Sequence, residues 1–313
     1  MRKIVVVLLT LLLVACAPKA SKEEKAELKV IAPKGAAALA LIFAEGDVNF
    51  VDGTDALSAA FLNPNPEYDV IIAPLNMGAK IITESDNPYR LLGVVTWGNL
   101  YFVENRNVTN GEIALFGEGA VPQKIVNTVL DLPEDKITYY ANVSEVQMAL
   151  LSGSVQYALL AEPAYSATQL KAGDVNVDLV LVYDLQEEWA KVKGTANYPQ
   201  AAVFVLESSY KENPVLFETF ENALLLLNDY PANEADIKDK LAGRTEEFGV
   251  PAEAIVMKAW DGLNLEYKPA DTVIAEIESF LELFNILNIS DFLPNELCYN
   301  ECVKHSLFFW GEV

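Results

Sequence analysis

Histidine and cysteine are scarce in this 313-residue sequence, and their scarcity excludes several classes of enzyme. A Ser-His-Asp hydrolase needs a histidine beside its nucleophile, but the single histidine, His305, lies in an irregular C-terminal stretch. This imidazole and the sulfurs of Cys298 and Cys302 make a poor ligand set for zinc. The Gly117-x-Gly119 pair lacks the third glycine of a dinucleotide-binding loop, and no Walker A sequence is present. We therefore expect a protein without catalytic activity, metal or cofactor.

Basic residues are also few, with 22 lysines and arginines against 45 aspartates and glutamates, for a formal net charge of −23. Nucleic-acid binding relies on lysine and arginine to neutralise phosphates. This charge balance therefore excludes nucleic acid as a partner. It favours solubility and carries no information about the fold.

Long apolar runs are absent except at the start of the sequence. Arg2 and Lys3 precede an apolar run over 4–14, which is too short for a membrane span of roughly 20 residues. A basic start, a short apolar run and small residues before a cleavage point predict a secretory signal over 1–15. The Leu-Val-Ala-Cys sequence that ends at Cys16 resembles the bacterial lipobox, whose cysteine is acylated. The alternative is an ordinary signal followed by a chance cysteine.

The resemblance to a lipobox implies an extracytoplasmic protein held at the membrane by lipid, with residues 16–27 as a polar tether. Outside the cytoplasm, Cys298 and Cys302 are able to form a disulfide, or they remain two free thiols on one helical face. We assign no function to the tail over 290–313.

Strand-like and helix-like segments alternate through most of the remaining sequence. We predict buried strands over 28–33, 68–73, 91–97, 112–116, 137–140, 157–161, 177–183 and 201–206. Helical spacing of apolar residues occupies most of the intervals and dominates after residue 214. This alternation predicts an α/β fold with mainly parallel sheets flanked by helices. A body of this length is expected to divide into two lobes.

Five predicted strands are followed by short loops that suit ligand binding, at 34–36, 74–76, 97–99, 117–120 and 161–163. In open parallel sheets, ligands bind beyond the carboxyl ends of the strands, where helix N-termini present free N–H groups. One such loop can be a plain strand-to-helix turn. Five of them at matching positions predict a binding cleft.

The candidate ligand-binding residues come from these loops and from the last strand: Lys34, Gly35, Asn76, Trp97, Gly119, Glu162 and Gln200. Trp97 either stacks on a planar ligand or packs in the core at a strand end. Asn76 either binds the ligand through its amide or caps a helix. Lys34 is either the cation for an anionic ligand or a solvated lysine.

Glu162 opens a predicted helix, where a carboxylate interacts favourably with the helix dipole, and we favour this structural role over pairing with an amine ligand. The cleft loops contain few cations. We therefore prefer a neutral or amine-bearing heterocycle as the ligand over a strongly anionic one, although backbone N–H groups can also hold an anion.

Three segments together resemble a known family. They are the segments over 68–80 (YDVIIAPLNMGAK), 91–101 (LLGVVTWGNLY) and 153–163 (GSVQYALLAEP). Their order and spacing are similar to the substrate-binding proteins of ABC importers, in the branch that binds sulfonates, nitrate and thiamine precursors. Two positions depart from the family pattern: Asn76 follows Leu75 where threonine or serine is common, and Gln156 replaces an acidic residue.

The resemblance implies a type 2 periplasmic-binding-protein fold, with lobe I over 28–104 and 203–289 and lobe II over 105–202. The two chain crossings would lie near 101–105 and 198–203, and lobe closure by hinge bending would trap the ligand. It also implies a monomer whose partners are a small molecule, a permease and an ATPase. The alternatives are a cofactor-biosynthesis enzyme on the same fold and a lipoprotein scaffold without a ligand.

Overall fold

The computed structural model describes residues 27–230, 232–287, 289 and 293, and it contains two β-sheets. The strands are β1 (Lys29–Pro33), β2 (Asp47–Val51), β3 (Val70–Pro74), β4 (Tyr89–Trp97), β5 (Leu100–Asn105), β6 (Ile113–Phe116), β7 (Ile137–Tyr140), β8 (Tyr157–Ala161), β9 (Leu179–Asp184), β10 (Pro199–Leu206) and β11 (Leu265–Pro269). The helices are α1 (Ala36–Leu39), α2 (Asp55–Leu62), α3 (Leu75–Glu84), α4 (Val121–Val129), α5 (Val143–Leu151), α6 (Ala164–Asp174), α7 (Leu185–Lys193), α8 (Glu207–Glu212), α9 (Pro214–Leu225), α10 (Glu234–Leu241), α11 (Thr245–Phe248), α12 (Glu253–Leu263) and α13 (Ile274–Leu281).

The first sheet has the strand order β11-β4-β10-β3-β1-β2. Strand β1 pairs in parallel with β2 and β3, whereas β10 runs antiparallel to both β3 and β4. The second sheet has the order β7-β6-β8-β5-β9, in which β5 alone runs antiparallel to its neighbours. Most strands of each sheet therefore run in one direction, as predicted, and the exceptions are β10 and β11 in the first sheet and β5 in the second.

The chain passes between the sheets at two places. It leaves the first sheet at Trp97 and enters the second at Leu100, and it returns between α7 and Pro199. The first crossing is thus the Gly98-Asn99 pair, and β5, which we predicted to span the lobes, pairs entirely with β8 and β9. The first crossing that the resemblance implied, near 101–105, is therefore a few residues too late, and the apolar sequence that continues from β4 into β5 does not mark the boundary.

The hydrophobic core continues across the crossings. One cluster of buried side chains joins Leu75 and Ile277 in the first lobe with Ile125 and Trp189 in the second. The Tyr198 ring packs 6.4 Å from the ring of Phe280 at the same place. The lobes therefore share packed surface beside the hinge, in addition to the two connecting segments.

Several local features of the structure go beyond the predicted elements. Helix α1 ends at Leu39, because later N–H groups bond three residues back instead of four, as from Ile42 to Leu39. The N-cap of α5 is Asn142. In the structure the Asn142 side chain accepts from the backbone N–H of Glu145. Strand β2, helix α7 and strand β11 were not predicted.

Among the described residues, no helix combines the length and apolarity that a membrane crossing needs. The predicted signal, the acylation site Cys16, most of the tether and the pair Cys298 and Cys302 lie outside the part of the chain that the structure describes.

Candidate functional site

Four of the candidate residues lie at the ends of adjacent strands in the first sheet. Trp97 ends β4 and pairs with Pro199, which precedes Gln200 on β10. Ala201 pairs with Pro74, so the start of β10 lies beside the loop that carries Asn76. Lys34 follows β1, the next strand in the sheet order. The first lobe therefore presents these residues along one edge.

The two candidates in the second lobe lie on neighbouring strands of the other sheet. Strands β6 and β8 pair in parallel, so the loops that carry Gly119 and Glu162 leave the sheet at adjacent positions. Gly119 has a positive φ of 72°, and its N–H donates to Gln123 Oε1 at 2.6 Å. Only glycine adopts this backbone conformation without strain.

Asn99 connects the two edges at the first crossing. Its backbone oxygen accepts from the N–H of Glu162 at 3.1 Å, and its side-chain oxygen accepts from Gln200 Nε2 at 3.4 Å. Glu162 and Gln200 are thus brought together through this one residue. Among the described residues, no hydrogen bond joins them to Lys34, Asn76 or Gly119.

Glu162 is buried and its carboxylate is held by the start of α6. Both oxygens accept from Ser166, one from the backbone N–H at 3.0 Å and the other from the hydroxyl at 2.8 Å. Burial raises the pKa of this carboxyl, while the Ser166 hydrogen bonds and the charge of Lys258 oppose the rise. Its oxygens are therefore engaged in the fold.

The cation at Lys34 is also engaged. Its ammonium lies 3.3 Å from the Asp52 carboxylate, and its aliphatic chain packs against Gly249. The N–H of Gly35 donates to the backbone oxygen of Phe248 at 2.8 Å, so it is not free for a ligand. This end of the edge offers an anion little positive charge.

Asn76 has an open acceptor. Its side-chain oxygen is buried and has no hydrogen-bond partner among the described residues. Asn76 is the second residue of α3, and it does not act as the helix cap that was its alternative role. A buried oxygen without a donor is unfavourable by about 1–3 kcal/mol, and a ligand N–H or O–H removes this penalty.

Trp97 lies at the other end of the edge, beside β11. Its ring is buried, its indole N–H donates to the backbone oxygen of Glu266 at 2.9 Å, and the Lys268 ammonium lies 4.9 Å from the ring centroid. Trp97 also lines a pocket of about 250 Å³. The other residues that line this pocket come from the first lobe and from the second crossing, and none of them belongs to the second sheet. Trp97 therefore has a structural role in addition to any contact with a ligand.

Sequence reasoning missed a polar cluster at the hinge. The side-chain oxygen of Gln186 accepts from the N–H of Leu100 and from the hydroxyl of Tyr198, both at 2.9 Å. One residue at the start of α7 therefore joins the residue that follows the first crossing to the end of the second crossing. Its amide nitrogen is buried without a partner among the described residues. The only available indication was an uninterpreted polar stretch over 185–198, because α7 had not been predicted.

Comparison with solved structures shows the same architecture in an ABC transporter protein and in periplasmic binding proteins. An ABC transporter protein from Parabacteroides distasonis superposes with a TM-score of 0.71 at 21% identity, over 87% of this chain and 100% of that one. The periplasmic aliphatic sulphonate-binding protein of Escherichia coli gives 0.61 at 15% identity, over 86% and 92%. The periplasmic nitrate-binding protein of Synechocystis PCC 6803 gives 0.56 at 12% identity, over 89% and 88%.

The chain has the two-lobed fold of periplasmic binding proteins. No protein-family model matches the sequence, and no curated protein matches it significantly. The superpositions span nearly the full length of the related structures, so both lobes and both crossings of that fold are present here.

Proposed function

We propose that this protein is the substrate-binding component of an ABC importer and captures a small molecule between its two lobes. The observation that carries the proposal is the pair of strand edges, one in each sheet, that meet the two chain crossings at Asn99 and Gln200. In such α/β lobes the carboxyl ends of the strands are the usual place for a ligand. The proteins with similar structures include an ABC transporter protein, a periplasmic sulphonate-binding protein and a periplasmic nitrate-binding protein.

The mechanism is binding and closure, with no bond made or broken. A ligand bridges Asn76 on the first edge and the Gly119 loop on the second, and the lobes rotate about Gly98-Asn99 and 194–198. Lipid on Cys16 keeps the protein outside the cell at the membrane, where the closed form docks on the permease. Hinge closure around ligands is a common mode of motion in two-lobed proteins.

The ligand class follows from the groups that remain free. Asn76 offers an acceptor without a donor, whereas Lys34 is paired with Asp52 and Glu162 is held by Ser166. We therefore propose a neutral or amine-bearing ligand with N–H or O–H donors. This differs from the sulfonate and nitrate in the names of the similar structures.

A thermal-shift screen of the chain without residues 1–16 tests the proposal. The panel contains amines, pyrimidines and other heterocycles, thiamine fragments, sulfonates and nitrate. A ligand at a hundred times its dissociation constant stabilises the native state by about 2.7 kcal/mol. We expect a shift of several degrees from one class of donor-bearing compound and none from nitrate. Chemical turnover of the added compound would instead indicate an enzyme, and a panel without any shift would indicate a scaffold.

A further inference from the structure

Gln186 lies at the strand-end edge of the second sheet, although none of the five predicted ligand loops included it. Asp184 ends β9 and pairs with Tyr101, next to Leu100, which pairs with the last residue of β8. The Asp184 carboxylate caps α7 by accepting from the backbone N–H of Gln186 at 2.9 Å. Strands β8 and β9 therefore end at the same edge, and Gln186 follows β9 much as Glu162 follows β8.

Two hydrogen bonds fix the orientation of the Gln186 side-chain amide. Its oxygen accepts from the backbone N–H of Leu100 and from the Tyr198 hydroxyl, both at 2.9 Å. A backbone N–H only donates, so the amide oxygen has to face Leu100, and the NH₂ group lies on the other side of the amide. The group that Gln186 offers to a ligand is therefore a donor.

This donor forms no hydrogen bond with the described residues. Gln186 is only 7% exposed, and its amide nitrogen is buried without a hydrogen-bond partner. The Tyr101 hydroxyl is close by, since burial raises the pKa of Tyr101 above its usual value and the Gln186 side chain opposes the rise. An amide nitrogen carries two N–H groups, so at least one of them lacks an acceptor even beside this hydroxyl. A buried donor without an acceptor is unfavourable.

Asn76 carries the complementary group on the first lobe. Its side-chain oxygen and the Gln186 nitrogen are the two buried side-chain polar atoms of the described chain that have no hydrogen-bond partner. Leu100, the donor to Gln186, follows Asn99 in the chain. Asn99 accepts from Gln200, and the next residue pairs with the end of β3, two positions before Asn76. An acceptor on the first lobe and a donor on the second therefore lie on either side of the first crossing.

An uncharged molecule with an N–H group beside a carbonyl oxygen satisfies both atoms. We infer that Gln186 is a specificity-determining residue of the cleft, and that the ligand is a carboxamide or lactam whose carbonyl oxygen accepts from Gln186 and whose N–H donates to Asn76. A ligand with only one of these groups leaves a buried polar atom of the protein unpaired, which disfavours its binding. The inference rests on the proposed capture between the lobes, and it adds an acceptor to the donors that Asn76 requires.

Three small rings of similar size test the inference. δ-Valerolactam has both groups, cyclohexanone has only the carbonyl oxygen, and piperidine has only N–H groups and is cationic at neutral pH. Equilibrium dialysis of each tritiated ring against the full chain in a maltoside detergent gives its dissociation constant. We expect δ-valerolactam to bind more tightly than either single-group ring by about fivefold or more. Equal or weaker binding of the lactam, or none, overturns the inference.

The Gln186→Glu variant separates a ligand contact from a structural role. Its carboxylate keeps an acceptor for Leu100 and Tyr198 but replaces the free donor with a second acceptor oxygen. We expect δ-valerolactam to bind about fivefold or more weakly than to wild type, and the piperidine cation to bind more tightly, so that the preference reverses. A loss of folded protein would instead weaken the binding of both rings. An unchanged preference in Gln186→Glu overturns the inference.

The matched control is Gln147→Glu, which places a carboxylate at another buried glutamine of the second lobe. The Gln147 amide donates to the Thr168 hydroxyl at 2.6 Å, within the packing of α5 on α6. We expect this variant to keep the wild-type preference for the lactam. A reversal in Gln147→Glu as well would show that any added charge changes the preference, and it would overturn the assignment to Gln186.

The results also separate this inference from the proposed function. If the lactam shows no preference while a compound of the thermal-shift panel still binds and makes the protein more compact, capture between the lobes stands and the amide class is wrong. If neither the panel nor the three rings contain a compound that binds, the proposed function itself fails.

Discussion

The hydroxyl of Tyr101 donates a hydrogen bond to the backbone oxygen of Gly262, 3.1 Å away, and this contact joins the second lobe to the end of α12 in the first. A Cβ at Gly262 would lie 2.9 Å from this hydroxyl and 3.1 Å from the side chain of Glu162. The close approach of the two lobes here therefore depends on the absence of a side chain.

We expect Gly262→Ala to destabilise the protein by about 1–3 kcal/mol, because the added methyl group forces two buried side chains apart. The matched control is Gly173→Ala in α6, where no atom lies within 4 Å of the added carbon. Alanine is favoured over glycine in a helix by roughly 0.5–1 kcal/mol, so the control should be neutral or stabilising. Urea unfolding measures both, and equal effects would contradict the tight contact.

Removal of the acceptor at Gln186 should weaken the hinge. In Gln186→Met the N–H of Leu100 and the Tyr198 hydroxyl lose their common acceptor. We expect the free energy of unfolding to fall by about 1–3 kcal/mol. A double-mutant cycle with Tyr198→Phe should give a coupling energy of at least about 0.5 kcal/mol, as for residues in one hydrogen-bond network. Additive effects in urea unfolding would show that the two side chains act independently.

Glu221 should make the free energy of unfolding depend on pH. Burial raises its pKa above the usual value of 4.5, against the opposing hydrogen bond from Tyr267. The folded state therefore holds the proton of Glu221 more tightly than the unfolded state does. Above the raised pKa of the folded state, the buried negative charge lowers the free energy of unfolding, and this loss disappears as the pH falls towards 4.5. Lowering the pH from 7.5 to 5 should therefore raise the free energy of unfolding of wild type relative to that of Glu221→Gln. The exposed Glu278→Gln serves as the control, and a Glu221→Gln difference independent of pH would be inconsistent with the raised pKa.

Lys34 distinguishes the classes of ligand. Its ion pair with Asp52 is partly exposed, so Lys34→Gln should change stability by less than about 1 kcal/mol. We expect affinity for the ligand found in the thermal-shift screen to stay within about twofold, as measured by calorimetry, and the exposed Lys80→Gln to behave in the same way. A tenfold or greater loss specific to Lys34→Gln would identify an anionic ligand.

The sequence predicted the repeating part of the fold well. Strands β1, β3, β7 and β8 lie within about two residues of their predicted bounds, because each is a short apolar run ended by a turn. Strand β2 was missed because it lies at an edge of the sheet and is only half-buried, so its sequence lacks a continuous apolar run. Local hydrophobicity reports burial, and edge strands have little of it.

The candidate site was less predictable because its contacts join distant parts of the chain. Trp97 bonds to Glu266 and Gln186 bonds to Leu100, across separations that no local pattern encodes. Recognition of the strand-end loops selected residues that the structure places at strand ends, several of them beside the crossings. Some polar atoms of these residues are already bonded, as Lys34 is to Asp52 and Glu162 is to Ser166. Only the folded structure shows these partners and therefore which polar atoms remain free for a ligand.

The most direct test of ligand capture is small-angle scattering of the chain without residues 1–16, with and without the class of compound that stabilises it. Closure of two lobes around a bound molecule makes the protein more compact. We predict a smaller radius of gyration with the ligand, and no change for Asn76→Ala at the same ligand concentration. A radius that is unchanged in wild type at saturating ligand would contradict capture between the lobes.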